Sequence, residues 1–280
     1  MTRFPYLNFF KKNYQKAKQN AFFRLKYYMN YLRLIFFLRE FFFPHGCPLC
    51  GCPLCGVGLS DTDETWYGLC DSCRRRLDAY FEEKICGDNC GRCGKPLISE
   101  HGLCLSCRQR EDFILQKTVV IFPYIGKYVR LLASYKFGKN IALANYYAEK
   151  IRALLESGVF AQEMPRIVPV PPRPGKIMKT GWDQVEYLAR LLEKGIGPGK
   201  KARLPVSRCL KRLPSESQKQ LGRECRKTNL LGRIVPVKKV PPSCILIDDV
   251  ITTGSTLEAC AAALKNGGAQ NVFGLSLFFG

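Results

Sequence analysis

Residues 245–257 read Ile-Leu-Ile-Asp248-Asp249-Val-Ile-Thr252-Thr253-Gly254-Ser255-Thr256-Leu257, and the order of residue types there decides the fold. An aliphatic, β-branched run makes a buried strand, two acids close it, and a short hydroxyl-rich loop with one glycine opens a helix. The acids and the loop then sit at the carboxyl edge of a sheet, where such folds bind ligands. Backbone N–H groups of Thr252, Thr253, Gly254, Ser255 and Thr256, aligned with the positive end of the helix, can wrap a monophosphate. Asp248 and Asp249 lie nearer the strand, where carboxylates accept hydrogen bonds from ribose hydroxyls. The geometry suits a sugar phosphate. No lysine follows the glycine, which excludes the P-loop of nucleoside triphosphatases. The plainer alternative is a strand-turn-helix capped by Thr252 or Thr253. Adjacent acids with no local compensation weigh against it.

The flanking sequence carries the same alternation. Apolar runs at Thr118–Phe122, Arg166–Val170 and Cys244–Ile247 alternate with helix-like stretches at about 140–157, 183–194 and 254–267, and Val272–Phe279 reads as a last strand. This predicts an α/β unit with a mostly parallel sheet flanked by helices, over residues 113–280. At 280 residues the chain is long for one domain, and 46% hydrophobic content with 24% charged residues excludes disordered and fibrous classes.

Residues 47–112 form a cysteine array with an internal repeat. Cys52-Pro-Leu-Cys55 followed by Cys70-Asp-Ser-Cys73 is echoed by Cys90-Gly-Arg-Cys93 followed by Cys104-Leu-Ser-Cys107. Two Cys-x-x-Cys pairs complete a tetrahedral shell of four thiolates, so the array reads as a small double zinc ribbon. With every position filled by sulfur, the zinc acts as a structural staple and not as a catalyst. The pentapeptide Cys-Pro-Leu-Cys-Gly occurs twice in succession, at 47–51 and 52–56. Either copy can supply the first pair, and Cys52/Cys55 is favoured for its match to the second repeat. Cys47/Cys50 shares a leucine four residues on, Leu54. No export signal precedes this array, so a reduced, cytoplasmic setting is expected for its thiols.

The formal charge of +21 is concentrated in two strips, +8 over residues 1–46 and +11 over residues 196–240. Such strips attract polyanions, among them nucleic acid, phosphorylated small molecules and anionic lipid. Residues 1–46 hold 15 of the 33 aromatics, interleaved with basic residues, and Ala21–Phe43 is compatible with an amphipathic helix. This basic aromatic leader is expected to pack against the rest of the protein. Peripheral membrane contact through residues 1–43, or contact with nucleic acid, is the sharper alternative. Its longest apolar run, Leu34–Leu38, is too short to span a bilayer, so no transmembrane segment is expected there.

The segment around Asp248 and Asp249 resembles the phosphoribosyl pyrophosphate signature of type I phosphoribosyltransferases. From about residue 47 to 279 the chain is similar to the ComF/GntX-like family. Tyr135-Lys136-Phe137-Gly138 resembles that family's lysine-tyrosine-glycine turn, and Val168-Pro-Val-Pro171 with Gly181-Trp182-Asp183-Gln184 resembles its PVP and GFNQ motifs. Arg212, Gln218, Leu221, Arg226 and Asn229 follow its R-Q-L-R-N stretch. Two departures stand out: Trp-Asp replaces Phe-Asn before Gln184, and Pro172-Arg-Pro-Gly-Lys occupies a turn where histidine is common.

The resemblance implies a type I phosphoribosyltransferase-like sheet binding phosphoribosyl pyrophosphate or a nucleotide, with magnesium bridging pyrophosphate and ribose hydroxyls. Asp248, Asp249 and Lys136 are then the candidate catalytic residues. Lys136 faces the pyrophosphate, and Arg173 and Lys179 close over the site. Two classes of function follow. One is a phosphoribosyltransferase with an unidentified acceptor. The other is a sensing and coupling protein that contacts single-stranded DNA or a helicase-like partner during DNA uptake in natural transformation.

Overall fold

The computed structural model of the chain describes residues 46–54, 66–97, 99–110, 113–160, 165–195, 203–214 and 232–280. The leader with Ala21–Phe43, and residues 215–231 of the second basic strip, lie outside the described residues. In chain order the described elements begin with α1 (Asp71–Cys86), α2 (Leu105–Arg108), β1 (Thr118–Pro123), α3 (Lys127–Lys136) and α4 (Leu143–Glu156). There follow β2 (Arg166–Pro169), α5 (Lys176–Thr180), α6 (Gln184–Lys194), β3 (Leu210–Arg212) and β4 (Ile234–Pro236). The last three are β5 (Ser243–Ile251), α7 (Ser255–Asn266) and β6 (Asn271–Phe279).

A four-stranded sheet in the order β1-β6-β5-β2, with every pair parallel, forms the centre of an α/β fold flanked by helices. Alternation along β5 assigns the two layers. Ile245 and Ile247 join the apolar residues of α3, α4 and α6 on one face. Cys244 and Leu246 join α7 and the antiparallel β3–β4 pair on the other. Because both faces are covered, β5 and β6 read as nearly unbroken apolar runs. On α4, Leu143, Tyr147, Ile151 and Leu154 recur at helical spacing and are buried, which fixes the side it turns to the sheet. Beyond β2, Val206 bridges Ile167 in parallel and lengthens that edge of the sheet.

The expected strands and the helices after residue 140 are present. The cysteine-rich region precedes the sheet, but it is less ribbon-like than the spacing suggests. Cys70 is the N-cap of the 16-residue α1, and Cys104 is the N-cap of α2, so the second pair of each repeat opens a helix. Helical i, i+3 spacing places both sulfurs of such a pair on one face. Among the described residues no helix is long and apolar enough to cross a membrane.

Candidate functional site

Asp248 and Asp249 stand in the last paired stretch of β5, with Asp248 in register with Ser276 and the strand running on to Ile251, and the chain then turns into α7 through residues 252–254 at the carboxyl edge of the sheet. Gly254 is the N-cap of α7, at a left-handed φ of 75°. A Cβ there would meet nothing within 4 Å, so the glycine answers to backbone conformation and not to crowding. The helix takes no side-chain cap from its N-cap residue. Thr253 and Ser255 instead pair their hydroxyls at 2.8 Å, with the Ser255 N–H 3.5 Å from Thr253 Oγ1. The loop thus ends in a left-handed glycine, with the Thr253 hydroxyl reaching the first N–H of α7. Thr252 and Thr253 are exposed, while Ser255 and Thr256 are half-buried.

Opposite this loop, the sheet edge collects cations from elements far apart in sequence. Lys136, the last residue of α3, donates from Nζ to Asp249 Oδ2 at 2.6 Å. Gln184, the first residue of α6, donates from Nε2 to the same oxygen at 2.6 Å. Lys176 of α5 donates to Gln184 Oε1 at 2.7 Å and to Asp183 Oδ2 at 2.5 Å. Tyr135 locks the base of this chain by donating its hydroxyl to the Gln184 carbonyl at 2.6 Å, its ring edge-on to Trp182.

The two acids stand in different electrostatic states. Burial opposes ionisation of Asp249, but the Lys136 ammonium and the hydrogen bonds from Lys136 and Gln184 hold its carboxyl below the usual range. Burial and the neighbouring negative Asp249 push Asp248 well above the usual range. Asp248 also accepts the Asp249 N–H at 2.8 Å. One carboxylate is thus already neutralised, and the other gains most from an added cation. Paired oxygen donors of this kind suit a hard ion such as magnesium.

Arg173 is exposed on the loop before α5, and with Arg212, Ile177, Met178 and Leu213 it lines a cleft of about 380 Å³. Burial and the charge of Arg173 hold the Arg212 guanidinium below its ordinary range, against a counter-effect from Asp248. Lys179 is exposed, and Lys176, one turn earlier, is the lysine that reaches the acid network. Lys176 and Gln184 were not picked out as site residues by residue type. The only signal for Gln184 was its place in the Gly-Trp-Asp-Gln motif. The Asp183 departure has a plain reason. Its carboxylate caps α6 by accepting the N–H groups of Val185 and Glu186 at 3.0 and 2.9 Å, a role asparagine fills equally well.

The cysteines gather into two clusters whose sulfurs lie within 4.8 Å of one another: Cys47, Cys50, Cys70, Cys73 and Cys90, Cys93, Cys104, Cys107. Each can hold one metal ion, and four sulfurs suit zinc. Among the described residues the first cluster gathers Cys47 and Cys50, from the first of the duplicated pentapeptides, and has Cys52 beside it. Cys55 lies outside the described residues. The reason is visible in the backbone. Cys47 donates to the Cys52 carbonyl and Gly51 to the Cys47 carbonyl, both at 2.8 Å, and Gly46 bridges Pro53. The second repeat matches this with Cys90 to Lys95, Gly94 to Cys90, and Asn89 bridging Pro96. The shared pattern is Cys-x-x-Cys-Gly-x-Pro-Leu, and the proline at 53 and 96 identifies the register that the leucine alone did not.

The second cluster is docked on the sheet and on α7. Gly94, at φ 71°, sits where a Cβ would lie 2.6 Å from the Thr118 carbonyl oxygen, so no other residue fits. Arg110 pairs with Glu258 of α7 at 2.6 Å, and Phe113 lies under the guanidiniums of Arg92 and Arg110. Burial raises the Cys90 thiol, but N–H donors from Cys93, Cys104 and Arg92 outweigh it and bring it down to about 6, which favours the thiolate a metal needs.

Two curated proteins are similar to the chain over most of its length. It is 27% identical to "Competence protein ComFC" of Bacillus subtilis over 233 residues, covering 77% of this chain and 89% of that protein. It is 24% identical to "Competence protein F" of Haemophilus influenzae over 218 residues, covering 73% and 87%. No protein-family model matches the chain.

Proposed function

Both similarities support a ComF-like family, and from that premise we propose that the chain binds magnesium phosphoribosyl pyrophosphate at the carboxyl edge of its sheet. The observation that carries the proposal is the juxtaposition of an acid pair at the end of β5, a left-handed glycine loop opening α7, and Lys136 from a helix 113 residues away. Backbone N–H groups of residues 252–256 receive the 5′-phosphate. Asp248 and Asp249 accept the ribose hydroxyls. The same two carboxylates would hold magnesium, which would supply positive charge to the leaving pyrophosphate. Lys136, paired with Asp249, stands beside the acid pair where its charge would also act on the pyrophosphate. Arg173 and Arg212 add positive charge at the cleft where the leaving group or an acceptor sits.

On this reading the chain is a phosphoribosyltransferase-like protein whose preorganised cations stabilise a departing pyrophosphate. Both relatives are named as competence proteins, so a role in DNA uptake is proposed with it, in a reducing, cytoplasmic setting. Zinc is the proposed metal of both four-sulfur clusters, acting as a staple. A sensing role, coupling ligand binding to single-stranded DNA or a helicase-like partner, is the second reading. The overall charge of +21 favours a polyanionic partner for it.

Thermal unfolding tests ligand binding. Magnesium phosphoribosyl pyrophosphate at 100 times its Kd stabilises the wild type by about 2.7 kcal/mol, and Asp249→Asn loses that shift. Equal shifts in both proteins, or none in either, would remove the site. Pyrophosphate release across purine and pyrimidine acceptors then separates transferase from sensor.

A further inference from the structure

Among the described residues, the first cysteine cluster has a fifth sulfur beside it and the second does not. Cys52 Sγ lies 3.2 Å from Cys50 Sγ, and Cys50 is exposed while Cys47, Cys70 and Cys73 are buried. In the second repeat the residue equivalent to Cys52 is Lys95. The backbone is the same in both copies, so the difference is confined to the side chain at that position. Between the two sulfurs stands Gly51, at φ 79°, where an added Cβ would meet nothing within 4 Å. A disulfide needs the sulfurs at about 2.05 Å, so closing the pair takes a shift of about an ångström, across a residue free to make it.

We propose that Cys50 and Cys52 form an oxidation site for hydroperoxides, and that closing their disulfide removes a ligand from the first metal cluster. This rests on the zinc reading of the clusters. The Cys50 thiolate attacks the outer oxygen of the hydroperoxide. The O–O bond breaks, Cys50 becomes a sulfenic acid, and the alkoxide or hydroxide that leaves takes a proton from solvent. Cys52 sulfur then attacks the Cys50 sulfur. The S–O bond breaks, the S–S bond forms, and hydroxide departs as water with the Cys52 proton. Two electrons pass from the two sulfurs to one peroxide. Cys47, Cys70 and Cys73 are left as three ligands, and the ion is released. The second cluster has no neighbouring thiol among the described residues at the matching position and keeps its ion.

The test uses the full chain loaded with zinc and treated with hydrogen peroxide, with released zinc read by a chromogenic chelator and disulfides mapped by mass spectrometry. The wild type should hold about two zinc ions and release about one, together with a Cys50–Cys52 disulfide, and a dithiol reductant with added zinc should restore it. Cys52→Ser should hold the same zinc beforehand and release it about tenfold more slowly. Lys95→Cys, which copies the extra thiol into the second repeat, should make the second ion labile as well. Full zinc content with a first ion that resists peroxide, or equal release from Cys52→Ser, would overturn this inference alone. So would loss of zinc from Cys52→Ser before oxidation, because Cys52 would then be a ligand. Wild type isolated without zinc from a zinc-supplemented preparation would overturn the metal reading and this inference together.

Discussion

In the cysteine clusters four like donors converge on one point, and three of the four sulfurs in each are buried. At the carboxyl edge of the sheet the donors are unlike, and they satisfy one another in a chain from Lys136 through Asp249 and Gln184 to Lys176. A closed shell of one donor type holds an ion and nothing else, so its contribution goes to the fold. A chain of ammonium, carboxylate and amide beside a hydroxyl loop can exchange its internal partners for those of a ligand. The difference teaches where stability and binding should separate under mutation.

The largest effect is expected at the first cluster. Its sulfurs pack into the main core with Leu69, Leu77 and Phe81, so Cys70→Ser should lose one zinc ion and about 4 kcal/mol of stability. Cys104→Ser should also lose one zinc ion but destabilise less, because Cys90, Cys104 and Cys107 form a separate small cluster. Elemental analysis with denaturant unfolding compares the two. Equal losses of stability would contradict the packing argument.

At the sheet edge the expected sign reverses. Burial and the neighbouring Asp249 push the Asp248 carboxyl well above its usual range, so between the unfolded and folded values the folded state keeps a proton that the unfolded chain gives up. Ionising it at neutral pH costs stability, and Asp248→Asn should raise the stability of the ligand-free protein by about 1–2 kcal/mol while weakening ligand binding. Asp249 carries the opposite sign. Its lowered pKa contributes stability above the unfolded carboxylate pKa, and that is lost as pH falls through the folded value. A variant at Asp248 that loses both stability and ligand response would merge the two regions' behaviour and contradict the comparison.

A smaller effect tests burial next to the sulfur region. Among the described residues, Lys84 of α1 finds no hydrogen-bond partner for its Nζ, and burial lowers it to about 8 against a smaller opposing effect of Cys93. Between pH 8 and its ordinary pKa of 10.5 the unfolded chain binds the proton that the folded chain has released, so stability rises with pH across that window. Lys84→Met should flatten the rise and add about 1 kcal/mol at neutral pH, read from chemical denaturation at several pH values.

Much of this was legible in the sequence, and the rest depends on long-range geometry. Ile245–Ile247 and Val272–Phe279 declare strands buried on both faces, and the acid pair followed by Gly254 marks the sheet edge. The α1 helix was hidden because Cys70 and Cys73 satisfy knuckle spacing and helical i, i+3 spacing alike. The choice of first cysteine pair turned on Pro53 and Pro96, whose role appears only once the bridges to Gly46 and Asn89 are seen. Asp248 and Asp249 are neighbours of one type, and nothing local separates them. Their asymmetry comes from Lys136 and Gln184, which the fold delivers from two other helices.

The most direct measurement is calorimetric titration of the zinc-loaded chain with phosphoribosyl pyrophosphate, with and without magnesium, at two pH values. The account predicts saturable binding that requires magnesium, tightens as pH rises and Asp248 ionises, survives in Cys104→Ser and disappears in Asp249→Asn. Binding of equal strength without magnesium, or undiminished in Asp249→Asn, would contradict it.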